Sequence, residues 1–234
     1  MGRIKSMTLT AQERARRIKV ILFDVDGVLT DGGIWLIPVP VAGADGAVTT
    51  KMVEAKGYNA HDGAGITLAR LGGMKCGVVT KRISESVALR ARDLRLEFVF
   101  QGKAFKMQAV REIMAKEGVK LEEIAFVGDD VIDLPVMRVC GLAVAVADAR
   151  GPVKTAAHYV TPSKGGHGAA RDAIEFILEA KEMLADCIEA YIDEDNPIPP
   201  TMDIGKGGVE VSESRPSRKN KDAARTGTHN SLRG

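Results

Sequence analysis

The chain has 234 residues, 27% of them charged, and a net charge of +2 from 33 Lys and Arg against 31 Asp and Glu. That balance gives no overall field for nucleic acid or an anionic membrane surface, and no apolar run reaches the ~20 residues that cross a bilayer. The length suits one domain with a sizeable core. Cys76, Cys140 and Cys187 lack any CxxC or Cys/His spacing, which argues against zinc and for buried thiols in a reducing compartment, so the expected location is the cytoplasm.

Residues 1–17 read as a lead-in and a short helix, opened by the capping-box spacing of Thr10 and Glu13 and closed near Arg17. Val20 to Phe23 is an unbroken apolar run bounded by charge, the pattern of a strand buried on both faces. Residues 33–56 differ from the rest. Residues 34–37, all apolar, and 48–53, Val-Thr-Thr-Lys-Met-Val, flank a turn-rich centre from Pro38 to Gly46. This predicts a projecting β-hairpin, which cannot bury its own face and so needs a partner.

From Asp62 the chain alternates between helix and strand. Helices are expected over 64–71, 84–94, 104–117 and 132–138, and strands over 74–79, 97–100, 124–127, 142–146 and 157–160. One long helix is expected over 169–192, with Ile174, Ile177, Leu178, Leu184, Ile188 and Tyr191 on one face. Such alternation predicts a parallel sheet with helices on both sides, in a domain spanning 18–192. Residues 193–234 form the third region. Pro197, Pro199 and Pro200 stop the helix, and residues 206–234 carry seven Lys and Arg against three acids. This basic tail has no aromatic residues to stack on bases, so it is read as a flexible solvated segment without a nucleic-acid partner.

Chemistry gathers at the ends of expected strands. Asp24 and Asp26 follow the first strand into a turn at Gly27, and buried acids are rare unless paired or metal-bound. A structural acidic turn is the plainer alternative. Thr80, Lys81 and Arg82 lie between a strand and a helix start, where a hydroxyl and backbone amides suit a phosphate oxygen, although a Thr there is often only a cap. Lys106 opens a helix and could offset phosphate charge. Asp129, Asp130 and Asp133 follow the strand 124–127. Placed beside Asp24, Asp129 makes a hard oxygen site suited to Mg²⁺.

The order Asp-x-Asp, Thr, Lys, Gly-Asp-Asp-x-x-Asp across residues 18–148 resembles the four signatures of the haloacid-dehalogenase-like phosphatases. The resemblance implies a Rossmann-like three-layer α/β sandwich around a central parallel sheet, and a phosphomonoesterase that uses Mg²⁺. It implies Asp24 as nucleophile and metal ligand, and Asp26 as general acid and base lending its backbone carbonyl to the metal. Thr80 and Lys106 bind the phosphoryl group, Asp129 completes the metal ligands, and Asp130 and Asp133 support the cluster. Neither insertion point has room for a cap domain.

A finer resemblance covers roughly residues 18–190. It rests on Tyr58 to Ile66, Gln101-Gly102, Gly128 to Met137, Ala145 to Ala149 and Gly165 to Ala169. These segments are similar to those of the 3-deoxy-D-manno-octulosonate 8-phosphate phosphatases. That likeness implies a homotetramer joined through the 33–56 hairpins, with Asn59, Arg82 and Arg90 contacting the sugar acid. Lys81 stands where the family carries Gly, and His61 and His167 where Arg is usual. Alternatives stay open: a related nonulosonate 9-phosphate or other sugar phosphate as substrate, a non-catalytic assembly module, or a phosphoacceptor receiver. Arg82 favours the octulosonate branch, the intact acids argue against an inert module, and the position of Asp24 on the first major strand argues against a receiver.

Overall fold

A computed structural model describes residues 9–43 and 46–193. The expected flexible tail beyond Asp193, the start of the lead-in and part of the hairpin tip lie outside the described residues. The elements run α1 (Ala11–Ala15), β1 (Val20–Phe23), β2 (Trp35–Ala42), β3 (Val48–Ala55), α2 (Ala60–Leu71), β4 (Lys75–Val79), α3 (Glu85–Asp93), β5 (Phe98–Phe100), α4 (Lys106–Glu117), β6 (Ile124–Gly128), α5 (Leu134–Met137), β7 (Leu142–Ala145), α6 (Gly151–Ala156), β8 (Tyr159–Val160), α7 (Ala169–Ala180) and α8 (Leu184–Ile192).

Six strands form one parallel sheet in the order β5-β4-β1-β6-β7-β8. β1 sits between β4 and β6, and all four of its residues are buried. Each such side chain contributes about 1.5–3 kcal/mol by leaving water. The strand order reverses direction at β1, and right-handed crossovers then put α2 and α3 on one face and α4, α5 and α6 on the other. α7 packs on α1 and α2, and α8 also packs on α2. This is the α/β sandwich expected from the alternation.

Several details differ from the sequence expectation. α2 begins at Ala60 rather than at 64, because the Asn59 side chain caps it by accepting from the His61 N–H at 2.8 Å. Gly63 and Gly65 lower the local helix propensity and mask that start. The expected helix over 132–138 is a 3₁₀ turn at Val131–Asp133 followed by the single turn of α5. α6, opened by Pro152, fills a stretch in which no element was expected. The long helix over 169–192 is two helices: Glu182 takes φ of 60° between them, and α8 turns back onto α2. No Gly or Pro marks that break. Pro38 and Pro40 belong to strand β2 and not to a turn, paired with Met52 and Thr50. A two-stranded ribbon accepts them because each of its strands keeps a free edge.

Candidate active site

In an open parallel sheet, the crevice beside the point where strand order reverses lies at the carboxyl ends of the strands. The motif residues converge there. Asp24 follows β1, Thr80 follows β4 and Asp129 follows β6, the three adjacent strands at the centre of the sheet. Lys106 is the first residue of α4, and its Nζ lies 2.8 Å from Asp24 Oδ1 and 2.6 Å from Asp133 Oδ1, with all three side chains buried. The other oxygen of Asp133 accepts the N–H groups of Asp129 at 3.0 Å and Asp130 at 3.3 Å. Asp133 thus fixes both Lys106 and the turn that carries Asp129. Asp130 caps that turn by accepting the Val131 N–H at 2.7 Å. The buried Thr80 hydroxyl accepts the Arg82 N–H at 3.3 Å.

Burying this many charges costs several kcal/mol per ion unless each is compensated. Asp24, Asp129 and Asp133 each present an oxygen within 4.8 Å of the others, and Lys106 is the cation held among them. Burial pushes the Asp129 carboxyl up to about 7, and the charges of Asp24 and Asp133 add to that rise. Burial likewise raises Asp24 to about 6 against the opposing pull of Lys106. Asp129 Oδ1 is buried and without a hydrogen-bond partner among the described residues. Were all three carboxylates ionised, one ammonium would leave two negative charges, so an orphaned hard oxygen among these acids fits a divalent cation such as Mg²⁺, whose charge offsets theirs. Gly27 is required here by space as well as by its φ of +89°, since a Cβ on it would meet Asp129 Oδ2 at 2.2 Å.

Asp26 lies beside this cluster in different company. One of its oxygens accepts from Lys56 Nζ, and the other lies 3.9 Å from Arg82 Nε. Arg82 also donates to Glu54. Lys56 and Glu54 were not singled out from the sequence. They stand two residues apart at the exit of the hairpin, a spacing that puts both side chains on one face of an extended chain. Asn59 and Arg90 form a second group. Asn59 caps α2 and donates to the Gly166 carbonyl at 3.4 Å, while Arg90 donates to the Asn59 carbonyl at 3.4 Å, pairs with Asp93 and lies over the Tyr58 ring. The structure therefore joins Asp24, Lys106, Asp129 and Asp133 directly, sets Asp26 and Arg82 alongside, and gives Asn59 and Arg90 separate partners.

Comparison with known proteins places this geometry. The profile of the haloacid dehalogenase-like hydrolases matches residues 81–172. The 3-deoxy-D-manno-octulosonate 8-phosphate phosphatase of Yersinia pestis is 37% identical over 172 residues, 74% of this chain and 86% of that one. Its counterpart in Escherichia coli K12 is 36% identical over 73% of this chain and 85% of the relative. The crystal structure of the Moraxella catarrhalis enzyme in complex with magnesium ion, phosphate ion and KDO superposes with a TM-score of 0.67 at 29% identity, covering 77% of this chain and 97% of that one. The shared fold and these identities show that the chain belongs to the haloacid dehalogenase-like hydrolases and, among them, to the family of 3-deoxy-D-manno-octulosonate 8-phosphate phosphatases.

Proposed function

We propose that this protein hydrolyses 3-deoxy-D-manno-octulosonate 8-phosphate to the free sugar acid and inorganic phosphate, with Mg²⁺ as cofactor. The observation that carries the reading is the meeting of the Asp24 carboxylate, the buried Lys106 ammonium and the unpartnered oxygen of Asp129 at one rim of the sheet. Asp24, Asp129 and the backbone carbonyl of Asp26 would hold Mg²⁺, which when bound supplies positive charge between the carboxylates and the phosphate dianion.

The chain's own groups carry the steps. Asp24 attacks phosphorus, forming a carboxylate–phosphorus bond as the bond to the sugar oxygen breaks. Lys106 and Thr80 bind the equatorial phosphoryl oxygens, where charge builds in the transition state. Asp26 gives its proton to the leaving sugar oxygen and then takes one from the water that attacks the aspartyl-phosphate, which restores Asp24. Asp130 and Asp133 hold the turn. Arg82 offers its guanidinium to the sugar carboxylate, and Asn59 and Arg90 supply the remaining sugar contacts.

The hairpin supports the assembly reading. Every residue of β2 is exposed, and Trp35 and Val48 are 62% and 72% exposed. Four copies joined through this surface account for it. Three unpaired, buried cysteines are consistent with action in the cytoplasm, and no described helix is long and apolar enough to cross a membrane.

The test is Mg²⁺-dependent phosphate release from a panel of sugar-acid and sugar phosphates, with Asp24→Asn as the blank. The octulosonate 8-phosphate is expected to lead the panel, and Asp24→Asn to lose about 10⁴-fold or more in turnover with its fold intact. Turnover retained by that variant overturns the mechanism. A panel led by a nonulosonate 9-phosphate overturns the substrate and leaves the mechanism standing.

A further inference from the structure

Around Asp26 the structure builds a closed ring of alternating charge. Asp26 Oδ1 accepts from Lys56 Nζ, Lys56 Nζ lies 3.0 Å from Glu54 Oε1, Glu54 Oε2 accepts from Arg82, and Arg82 Nε returns to Asp26 Oδ2 at 3.9 Å. The Lys56 side chain has no exposed surface, whereas Arg82 is 43% exposed at the cleft. Lys56 is thus the inner member and Arg82 the outer one. Two of the four residues come from the hairpin exit, one from the turn after β1 and one from the turn after β4.

A carboxylate that must deliver a proton along one direction gains from having its side-chain torsions fixed beforehand, since a displacement of about 1 Å can cost ~10²-fold in rate. Asp26 sits between Val25 and Gly27, and its carboxylate partners among the described residues are the side chains of Lys56 and Arg82. An enclosed ammonium, itself anchored by Glu54, supplies that constraint. We propose that Lys56 is a positioning residue for Asp26, with Glu54 as its anchor, so that the seating of the hairpin sets the geometry of proton transfer. The inference rests on the acid and base role given to Asp26 above. A ring that only fastened the hairpin to the sheet would affect every substrate alike.

Leaving-group dependence separates the two. Full-length Lys56→Met and Asp26→Asn are assayed with Mg²⁺ on phenyl phosphate, whose leaving oxygen needs a proton, and on 4-nitrophenyl phosphate, whose leaving oxygen does not. Lys56→Met is expected to lose about tenfold to a hundredfold in kcat on phenyl phosphate with KM nearly unchanged. On 4-nitrophenyl phosphate it should show a burst of one nitrophenolate per active site, because only breakdown of the phosphoenzyme still needs Asp26. Equal losses on both substrates without a burst, while Asp26→Asn discriminates between them, overturn the proposal. Failure of Asp26→Asn to discriminate removes the role of Asp26 itself, and the inference with it. Should Lys56→Met not fold, Glu54→Gln reads the same ratio. A smaller shift in the same direction supports the anchor, and no shift overturns it.

Discussion

Strand β1, Val20–Phe23, and hairpin strand β2, Trp35–Ala42, are both dominated by large apolar residues, yet every residue of β1 is buried and every residue of β2 is exposed. The difference lies in neighbours. β1 pairs on both edges and is covered by helices on both faces, while β2 pairs with β3 alone in a separate two-stranded sheet. Composition makes a strand, but only the number of elements laid against it decides whether its apolar surface is buried inside the protomer or left exposed.

The largest expected contrast is between changes in those two strands. Leu22→Ala, in the packed sheet, should cost about 2–5 kcal/mol. Trp35→Glu with Ile37→Lys, on the hairpin, should change protomer stability by no more than about 0.5 kcal/mol while converting the proposed tetramer into smaller species. Urea unfolding and light scattering check the two halves, and a hairpin variant that stays tetrameric breaks the comparison.

The next effect belongs to the rim of the sheet. Asp129 and Asp24 hold their protons up to about 7 and about 6 because burial disfavours their charges, with repulsion from Asp24 and Asp133 adding at Asp129 and from Asp133 at Asp24. In metal-free protein these two groups bind more protons folded than unfolded, so their contribution to stability is fullest below the ordinary carboxylate range and is lost as pH rises through 6 to 7. Mg²⁺ relieves that loss. At roughly 100 times its dissociation constant it should raise Tm by about 5–10 °C at pH 8, and by much less at pH 5, as read by thermal melts with and without the ion. The hairpin variant should show the same increments, since it leaves the rim untouched.

The smallest effect lies at the far edge of the sheet. His158 Nδ1 accepts the Ala143 N–H at 2.9 Å, and burial, reinforced by Arg14, holds the ring below its ordinary 6.5. Its contribution is full above pH 6.5 and lost as pH falls below it, because the unfolded ring takes up the proton first. His158→Ala should cost about 1 kcal/mol at pH 7.5 and flatten the dependence of the urea midpoint between pH 7.5 and 5.5.

What could be read from the chain, and what could not, divides along the same line. β1 was placed to the residue, because four consecutive apolar side chains between charges have few other uses. That Asp24, Thr80 and Asp129 follow strands and Lys106 opens a helix was legible because each motif is local in sequence. The break at Glu182 was not legible: a left-handed residue without Gly is imposed by α8 docking on α2. For Asn59 the family resemblance implies a substrate contact, whereas the structure shows its side chain capping α2.

The sequence by itself determined the alternation of strands with helices and the candidate groups for the proposed phosphoryl transfer, since periodicity and motif spacing are properties of neighbouring residues. Only the tertiary structure decided that Lys106 lies between Asp24 and Asp133, that Asp129 keeps an oxygen without a partner, and that Lys56 closes on Asp26. The ion pairs among them join residues 27 to 82 positions apart, and the cost of closing such loops is met by the packed sheet that brings the strand ends to one rim.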